Sequence, residues 1–250
     1  MYLMIIFFVA LLGCKKGTME TEKKEVEEPV PEGHIRFSGY IWKVKNPAGT
    51  QGPHSNYWSK DNVWVDEKGH LHLRVRKNMT NNRWECAEVQ TTIKFGYGTY
   101  QWKLEGPVNA LDKNFVLGLF NYSGNSTYDE MDIEFSRWGY STAKILNYSI
   151  WPATGENVPY TTWSTDFTMT SNFTTHRWHR TASSLRFQSM QGFQDGDNEM
   201  IADKSWSRPA TSISTLEMPV FMNFWLFKTV PPSDGKDMEI VIHEFKFTKL

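Results

Sequence analysis

The sequence predicts an all-β fold, a sandwich of curved sheets, and three observations lead there. From His34 onward, short runs of alternating apolar and polar residues follow one another, separated by Gly, Asn and Pro. No amphipathic stretch of a dozen residues with helical period interrupts them. At 250 residues the chain is long enough for one undivided all-β domain. The sheets must curve if the acidic face described below is to line a cleft.

Taken in order, the chain opens with an apolar run, Met1 to Gly13. It is too short to cross a bilayer as a helix and fits the apolar region of a secretory signal. The run ends Leu11-Leu12-Gly13-Cys14, which resembles the lipobox of bacterial lipoproteins. That resemblance implies cleavage before Cys14, lipidation of Cys14, and export to a bacterial membrane or cell surface. One feature departs from the pattern: no Lys or Arg precedes the apolar run, and an uncleaved N-terminal anchor is the alternative. Residues 14–33 are charged and punctuated by Pro, with little to bury, and read as a flexible tether. The folded domain is expected over 34–250. Only Cys86 is then left as a thiol, so no disulfide framework is predicted, and a core of this size does not need one.

Strand signals recur through the domain. His70 to Val75 alternates His70, His72 and Arg74 outward with Leu71, Leu73 and Val75 inward. Thr99 to Leu104 should bury Tyr100, Trp102 and Leu104. Phe115 to Phe120 is apolar on both faces, as a central strand would be. Lys144 to Ile150, Leu185 to Ser189 and Val220 to Phe227 follow. In the last strand the apolar phase shifts between Ile242 and Phe245, which predicts a bulge. The formal net charge of −1 gives no general attraction to nucleic acid or anionic membrane.

The stretch with most chemical content is Tyr128-Asp129-Glu130-Met131-Asp132-Ile133-Glu134-Phe135. A period of two puts Glu130, Asp132 and Glu134 on one face and Met131, Ile133 and Phe135 on the other. Clustered carboxyls are useful where one acid must hold a proton near neutral pH while another stays charged, as in glycoside hydrolysis. Spacing alone proves little. With 28 acidic residues in 250, such a triplet arises by chance about 0.3 times in a chain this long. A second case, Asp195, Asp197 and Glu199, encloses Gly196 and Asn198 and reads as a solvated turn. A solvated strand face would also account for the first triplet.

Asp129-Glu-Met-Asp-Ile-Glu-Phe135 resembles the active-site strand of glycoside hydrolase family 16, and the likeness extends over residues 34–250. Cys86-Ala87-Glu88, Phe95-Gly96-Tyr97-Gly98-Thr99-Tyr100, Phe120-Asn121-Tyr122 and Met222-Asn223-Phe224-Trp225 occur in the order of its lichenase branch. The resemblance implies a curved jelly-roll sandwich with a concave sugar-binding cleft. It implies a retaining endo-glycosidase of β-linked glucans, with Glu130 as nucleophile, Glu134 as general acid/base and Asp132 tuning both. Across four residues of strand the two glutamate Cα atoms stand about 13 Å apart. Retention needs carboxyls about 5 to 5.5 Å apart, so both side chains must lean inward. Spacing leaves inversion open; the resemblance favours retention.

The same resemblance assigns sugar contact to Glu88, Phe120, Tyr122, Asn147, Asn223 and Trp225, with Tyr128 where lichenases commonly have Trp. Each has a structural alternative: Glu88 as a turn cap, Trp225 as core. Gln90 replaces an Arg and Ser149 a Tyr, departures that bear on which glucan fits. The position facing Cys86, a disulfide partner in lichenases, is Asn56. His243 stands where many relatives bind calcium through Asp, so a structural calcium is not assigned and no cofactor is required. His70 and His72, a two-member metal pair by pattern, read as exposed surface. The expected partner is a β-glucan-type polysaccharide, the expected state a monomer. A non-catalytic glycan-binding lipoprotein and a transglycosylase are the alternatives.

Overall fold

The computed structural model describes residues 29–207 and 213–250. The signal, Cys14 and most of the tether lie outside them. In chain order the strands are β1 (His34–Phe37), β2 (Tyr40–Val44), β3 (Thr50–Gln51), β4 (Asn56–Trp58), β5 (Val63–Val65) and β6 (Leu71–Asn78). Then come β7 (Arg83–Thr91), β8 (Gly98–Glu105), β9 (Phe115–Tyr122), β10 (Glu130–Ser136), β11 (Leu146–Trp151) and β12 (Thr161–Thr165). The last are β13 (Phe173–Arg180), β14 (Ser184–Gln191), β15 (Met200–Ser207), β16 (Val220–Leu226) and β17 (Met238–Lys249).

Two antiparallel sheets are built from these strands. The front sheet runs β1-β2-β7-β16-β9-β10-β11-β12. The back sheet runs β5-β6-β17-β8-β13-β14-β15. The β6–β7 hairpin joins them through Arg76↔Glu85 to Asn78↔Arg83. Neighbours in each sheet are often remote in sequence, as in a jelly roll, where returning strands lie beside earlier ones.

The core between the sheets is aromatic. Trp42, Trp102, Trp178, Tyr100, Phe187 and Phe245 are all buried. Trp102 and Trp178 meet at 4.7 Å between ring centroids, and Tyr148 of the front sheet stacks on Phe187 of the back sheet at 4.9 Å. Expected alternations appear as drawn: Leu71, Leu73 and Val75 are buried on β6, and Tyr100, Trp102 and Leu104 on β8. On β17 the register shifts between Ile242 and Glu244, which makes His243 the extra residue of the predicted bulge. His70 and His72 are corrected: neither is exposed surface. His70 packs its ring 3.9 Å from that of His243, and His72 stacks on Trp64 and reaches Glu239 at 2.8 Å.

Met131, Ile133 and Phe135 form the inner face of β10 and are fully buried. Their burial holds that strand between β9 and β11 and so fixes where its outer face points. Ile133→Ala should therefore destabilise the domain by about 2–5 kcal/mol, read as a lower midpoint in chemical denaturation.

Candidate active site

Because directly opposed residues of an antiparallel pair share a face, the register of the front sheet lays out the outer surface in rows across the strands. One row holds Trp151, Glu130 and Tyr122. The next holds Ser149, Asp132, Phe120, Phe221, Gln90 and Lys43. A third holds Asn147, Glu134, Gly118, Asn223 and Glu88. Most residues of these rows line a cleft of about 920 Å³, all three carboxyls among them. Glu130, Asp132 and Glu134 thus face one space together.

Local structure explains how β10 enters the cleft. Asp129 adopts a left-handed φ of 53°, a conformation that Asp tolerates better than most residues. Its amide donates to the Pro152 carbonyl at 2.8 Å, and its carboxylate accepts from the Thr154 amide and hydroxyl. Glu130 and the end of β11 are therefore tied on both sides of the chain reversal. Opposite Glu134, Gly118 has no side chain for a reason: a Cβ there would fall 2.6 Å from Asn223 Oδ1.

The three acids share a desolvated site. Burial, and then the charge of Glu130, push Glu134 up to about 8. Burial pushes Glu130 up to about 7, opposed by a hydrogen bond from Asp132. Asp132 is raised well above the usual carboxylate range, first by burial, then by the charges of Glu130 and Glu134. It is only 3% exposed, and the bond between them raises Asp132 while lowering Glu130. This ordering leaves Glu130 the first of the two glutamates to ionise and Glu134 the one that keeps its proton longer.

Around the acids the cleft divides by chemistry. Phe120 stacks on Phe221 at 4.9 Å with planes 13° apart. Glu88 is buried and holds the Lys45 ammonium at 2.9 Å, while its second oxygen accepts from Asn223 Nδ2 at 3.2 Å. Burial raises the Glu88 carboxyl and Lys45 opposes the rise. Lys45 also donates to the Gly52 carbonyl at 2.6 Å and lies 4.0 Å over the Trp58 ring. Asn223 Oδ1 has no hydrogen-bond partner among the described residues.

Of the seven residues assigned sugar contact, Glu88, Phe120, Tyr122, Asn223 and Trp225 line the cleft. Tyr128 and Asn147 do not. Tyr128 sits in the turn before β10, its amide bonded to the Asn125 carbonyl. Asn147 lies on the right face but is buried, its amide nitrogen donating to the Ser136 and Ile145 carbonyls and its oxygen accepting from Ser164. Asn147 is therefore occupied with the backbone at the end of β10. Sequence reasoning missed Lys45, Trp138, Trp151 and Phe221, all of them lining residues. Their only signal was an aromatic or basic residue on a strand or just past its end, too common to single out.

Cys86 is buried, burial pushes its thiol up to about 12, and it donates to Asn56 Oδ1 at 3.5 Å. The position expected to face it does face it. His243 Nε2 pairs with Glu105 at 2.6 Å, and no group of three or more metal-ligating side chains occurs among the described residues. The Asp195–Glu199 turn is held by Arg177, which donates to the Asp195 and Gly196 carbonyls and to Asp197.

No family model matches the chain. Over 116 residues it is 34% identical to a beta-glucanase from Paenibacillus polymyxa, a match covering 45% of this chain and 46% of that protein. Over 109 residues it is 30% identical to the endo-1,3-1,4-beta-glycanase ExoK of Rhizobium meliloti, covering 42% and 38%. The chain thus spans about half the length, or less, of the curated relatives it matches. It superposes on the Bacillus licheniformis beta-glucanase structure with a TM-score of 0.61 at 18% identity, covering 88% of this chain and 94% of that one. The fold is that of the lichenase-type jelly-roll sandwich.

The raised carboxyls have a consequence for stability. Folded Glu134 binds its proton up to about pH 8, whereas its ordinary value is 4.5. The folded state therefore holds more protons than the unfolded one between those values, and stability falls as pH rises through that window. Glu134→Gln removes this term. Its melting temperature should match wild type near pH 4.5 and exceed it at pH 8.5 by several degrees, at about 2–4 °C per kcal/mol for a chain of this size. Thermal melts of both proteins at the two pH values check this.

Proposed function

We propose that this chain is a retaining endo-β-glucanase whose nucleophile is Glu130 and whose general acid/base is Glu134. One observation carries the reading: a single strand presents both glutamates and Asp132 to one cleft, in a shared desolvated site that raises all three carboxyls. The similarity of about half the chain to proteins named beta-glucanase and endo-1,3-1,4-beta-glycanase supports a β-glucan substrate. So does the sequence resemblance to glycoside hydrolase family 16.

In this reading Glu130, ionised, attacks the anomeric carbon while Glu134 donates its proton to the leaving oxygen. Glu134, now a carboxylate, then takes a proton from water, which opens the glycosyl ester and restores Glu130. Neutral Asp132 stabilises the Glu130 carboxylate before attack. Phe120, Phe221 and Trp225 supply flat apolar faces for sugar C–H groups, and Glu88 and Asn223 supply polar groups for hydroxyls. Export and a lipid anchor at Cys14 belong to the same proposal and rest on Leu11-Leu12-Gly13-Cys14 alone.

The test is a panel of polysaccharides, with mixed-linkage β-glucan first, assayed for reducing ends. Glu134→Gln should lower kcat by about 10²–10⁴-fold, the usual weight of a general acid, and Glu130→Gln by at least as much. Both should retain oligosaccharide binding by calorimetry. Wild-type turnover in either variant overturns the assignment of that residue. An oligosaccharide bound by the wild type yet intact after long incubation overturns the hydrolase reading in favour of a glycan-binding protein. Products longer than the substrate would replace hydrolase by transferase.

Wild-type kcat/KM should follow a bell, highest between the Glu130 value of about 7 and the Glu134 value of about 8. Below that range the nucleophile is protonated, and above it the acid has lost its proton. A pH–rate profile from 5 to 10 tests the ordering.

A further inference from the structure

We propose that Lys45 is a positioning residue of the cleft, its ammonium joining the Glu88 carboxylate to the Gly52 wall so that Glu88 meets a sugar remote from the acids in a fixed place. The part that concerns sugar rests on the hydrolase reading above; the joint itself does not.

Lys45 follows β2 directly. Its amide donates to the Glu88 carbonyl at 3.0 Å, and two residues earlier Lys43 stands opposite Gln90. Lys45 therefore continues the register and extends the row of Glu134, Gly118, Asn223 and Glu88 outward by one strand. An ammonium has three donors. One meets Glu88 Oε1 at 2.9 Å and one the Gly52 carbonyl at 2.6 Å, while the charge lies 4.0 Å over the Trp58 ring. Both side chains of the pair are little exposed, 16% for Lys45 and 11% for Glu88, so salt and water screen their attraction weakly. The charge of Lys45 is thus spent on protein groups, and Lys45 acts through Glu88.

Gly52 is the anchor of this joint. It stands between Gln51 and Pro53 at the turn from β3 toward β4, and all three line the cleft. The turn is itself fixed to β4: Trp58 Nε1 donates to the Gln51 carbonyl and Asn56 Nδ2 to the Pro53 carbonyl, each at 2.8 Å. At the other end of the joint, the second oxygen of Glu88 accepts from Asn223 Nδ2 at 3.2 Å. A carboxylate has room for about four hydrogen bonds, so Glu88 keeps acceptor capacity for hydroxyls in the cleft that it lines. Lys45 also opposes the rise that burial imposes on this carboxyl, which keeps Glu88 an acceptor.

From Glu134 the row crosses β9 and β16 to reach Glu88 on β7. Three strand spacings amount to roughly 14 Å, more than one hexose ring spans. The sugar that Glu88 meets is therefore not the one at the acids, and Lys45 governs the binding of longer chains, not the chemical step.

The test is a ladder of mixed-linkage β-gluco-oligosaccharides of increasing length, given to wild type, Lys45→Met, Lys45→Arg, Glu88→Gln and the Lys45→Met/Glu88→Gln double variant. On the longest, Lys45→Met should raise KM about tenfold with kcat within about twofold, and the loss should shrink as the chain shortens. Lys45→Arg, which keeps a cation, should recover most of it. In the Glu88→Gln background, Lys45→Met should add less than about twofold, because Lys45 works through that carboxylate. A loss equal at every length, a loss confined to kcat, or full additivity with Glu88→Gln overturns the proposal. Lys45→Gln replaces Met if that variant does not fold.

A measurement without sugar decides the joint. Backbone hydrogen exchange over residues 50–54 should quicken about tenfold in Lys45→Met, and exchange equal to wild type overturns the proposal. If the wild type cleaves no glucan, the hydrolase reading fails while exchange still decides whether Lys45 makes the joint.

Discussion

The structure depends on a conflict held within one strand. β10 places Met131, Ile133 and Phe135 in the core and Glu130, Asp132 and Glu134 on the opposite face. Burying each large apolar side chain stabilises by about 1.5–3 kcal/mol, enough together to hold the strand against unfavourable groups on its other side. Three carboxylates in a desolvated trough are such groups, and they resolve the conflict by keeping protons. Asp132, 3% exposed, is raised well above the usual carboxylate range. Its contact with Glu130 opposes the rise that burial imposes on that glutamate. Apolar anchoring on one face thus permits unusual acid–base behaviour on the other.

Small residues beside the acids serve the same end. Gly118 faces Glu134 from β9 and Ser149 faces Asp132 from β11, so each of these two acids has one small neighbour across the strands. At Gly118 the lack of a Cβ also lets Asn223 come close, since a methyl group would meet its oxygen at 2.6 Å. Larger side chains hold the other positions: Phe120, opposite Asp132, stacks on Phe221, and Lys45, Glu88 and Asn223 form a paired polar corner. Pairing keeps that corner from adding a second unbalanced charge to the cleft.

How much of this was legible in the sequence depended on what each strand buries. β6, β8, β10 and β17 bury plain hydrocarbon or aromatic residues at a period of two, and even the bulge at His243 left a phase shift to read. β13 gave no such signal, because its inward face is Thr174, His176, Trp178 and Arg180. His176 is buried neutral, its value lowered to about 3 by burial, with its ring nitrogens on Ser189 and Thr174 at 2.7 and 2.8 Å. Arg180 donates to the Ser214 and Leu216 carbonyls. Polar residues that find partners inside a sandwich satisfy the fold while erasing the pattern. The acid triplet was legible because it lies on one strand. Glu88, Phe120, Tyr122, Asn223 and Trp225 came from family resemblance, since their meeting depends on cross-strand register between β7, β9 and β16, which no local spacing encodes. Asn147 shows the limit of carrying over positions: lying on the face of the cleft in register does not leave a side chain free to enter it, because its amide is spent on the Ser136 and Ile145 carbonyls and on Ser164.

The two flanks of β10 are unequal, and the inequality has a physical consequence. Toward β9, β16 and β7 the outer face continues through several strands of aromatic and polar side chains. Toward β11 it narrows at once to Ser149, the occupied Asn147 and Trp151. A charge on Asp132 is therefore surrounded on the narrow side by hydroxyls turned elsewhere and one indole donor, not by a counter-ion. Burial, and then the charges of Glu130 and Glu134, raise the Asp132 carboxyl, and neither β11 nor β12 brings a cation to oppose that rise.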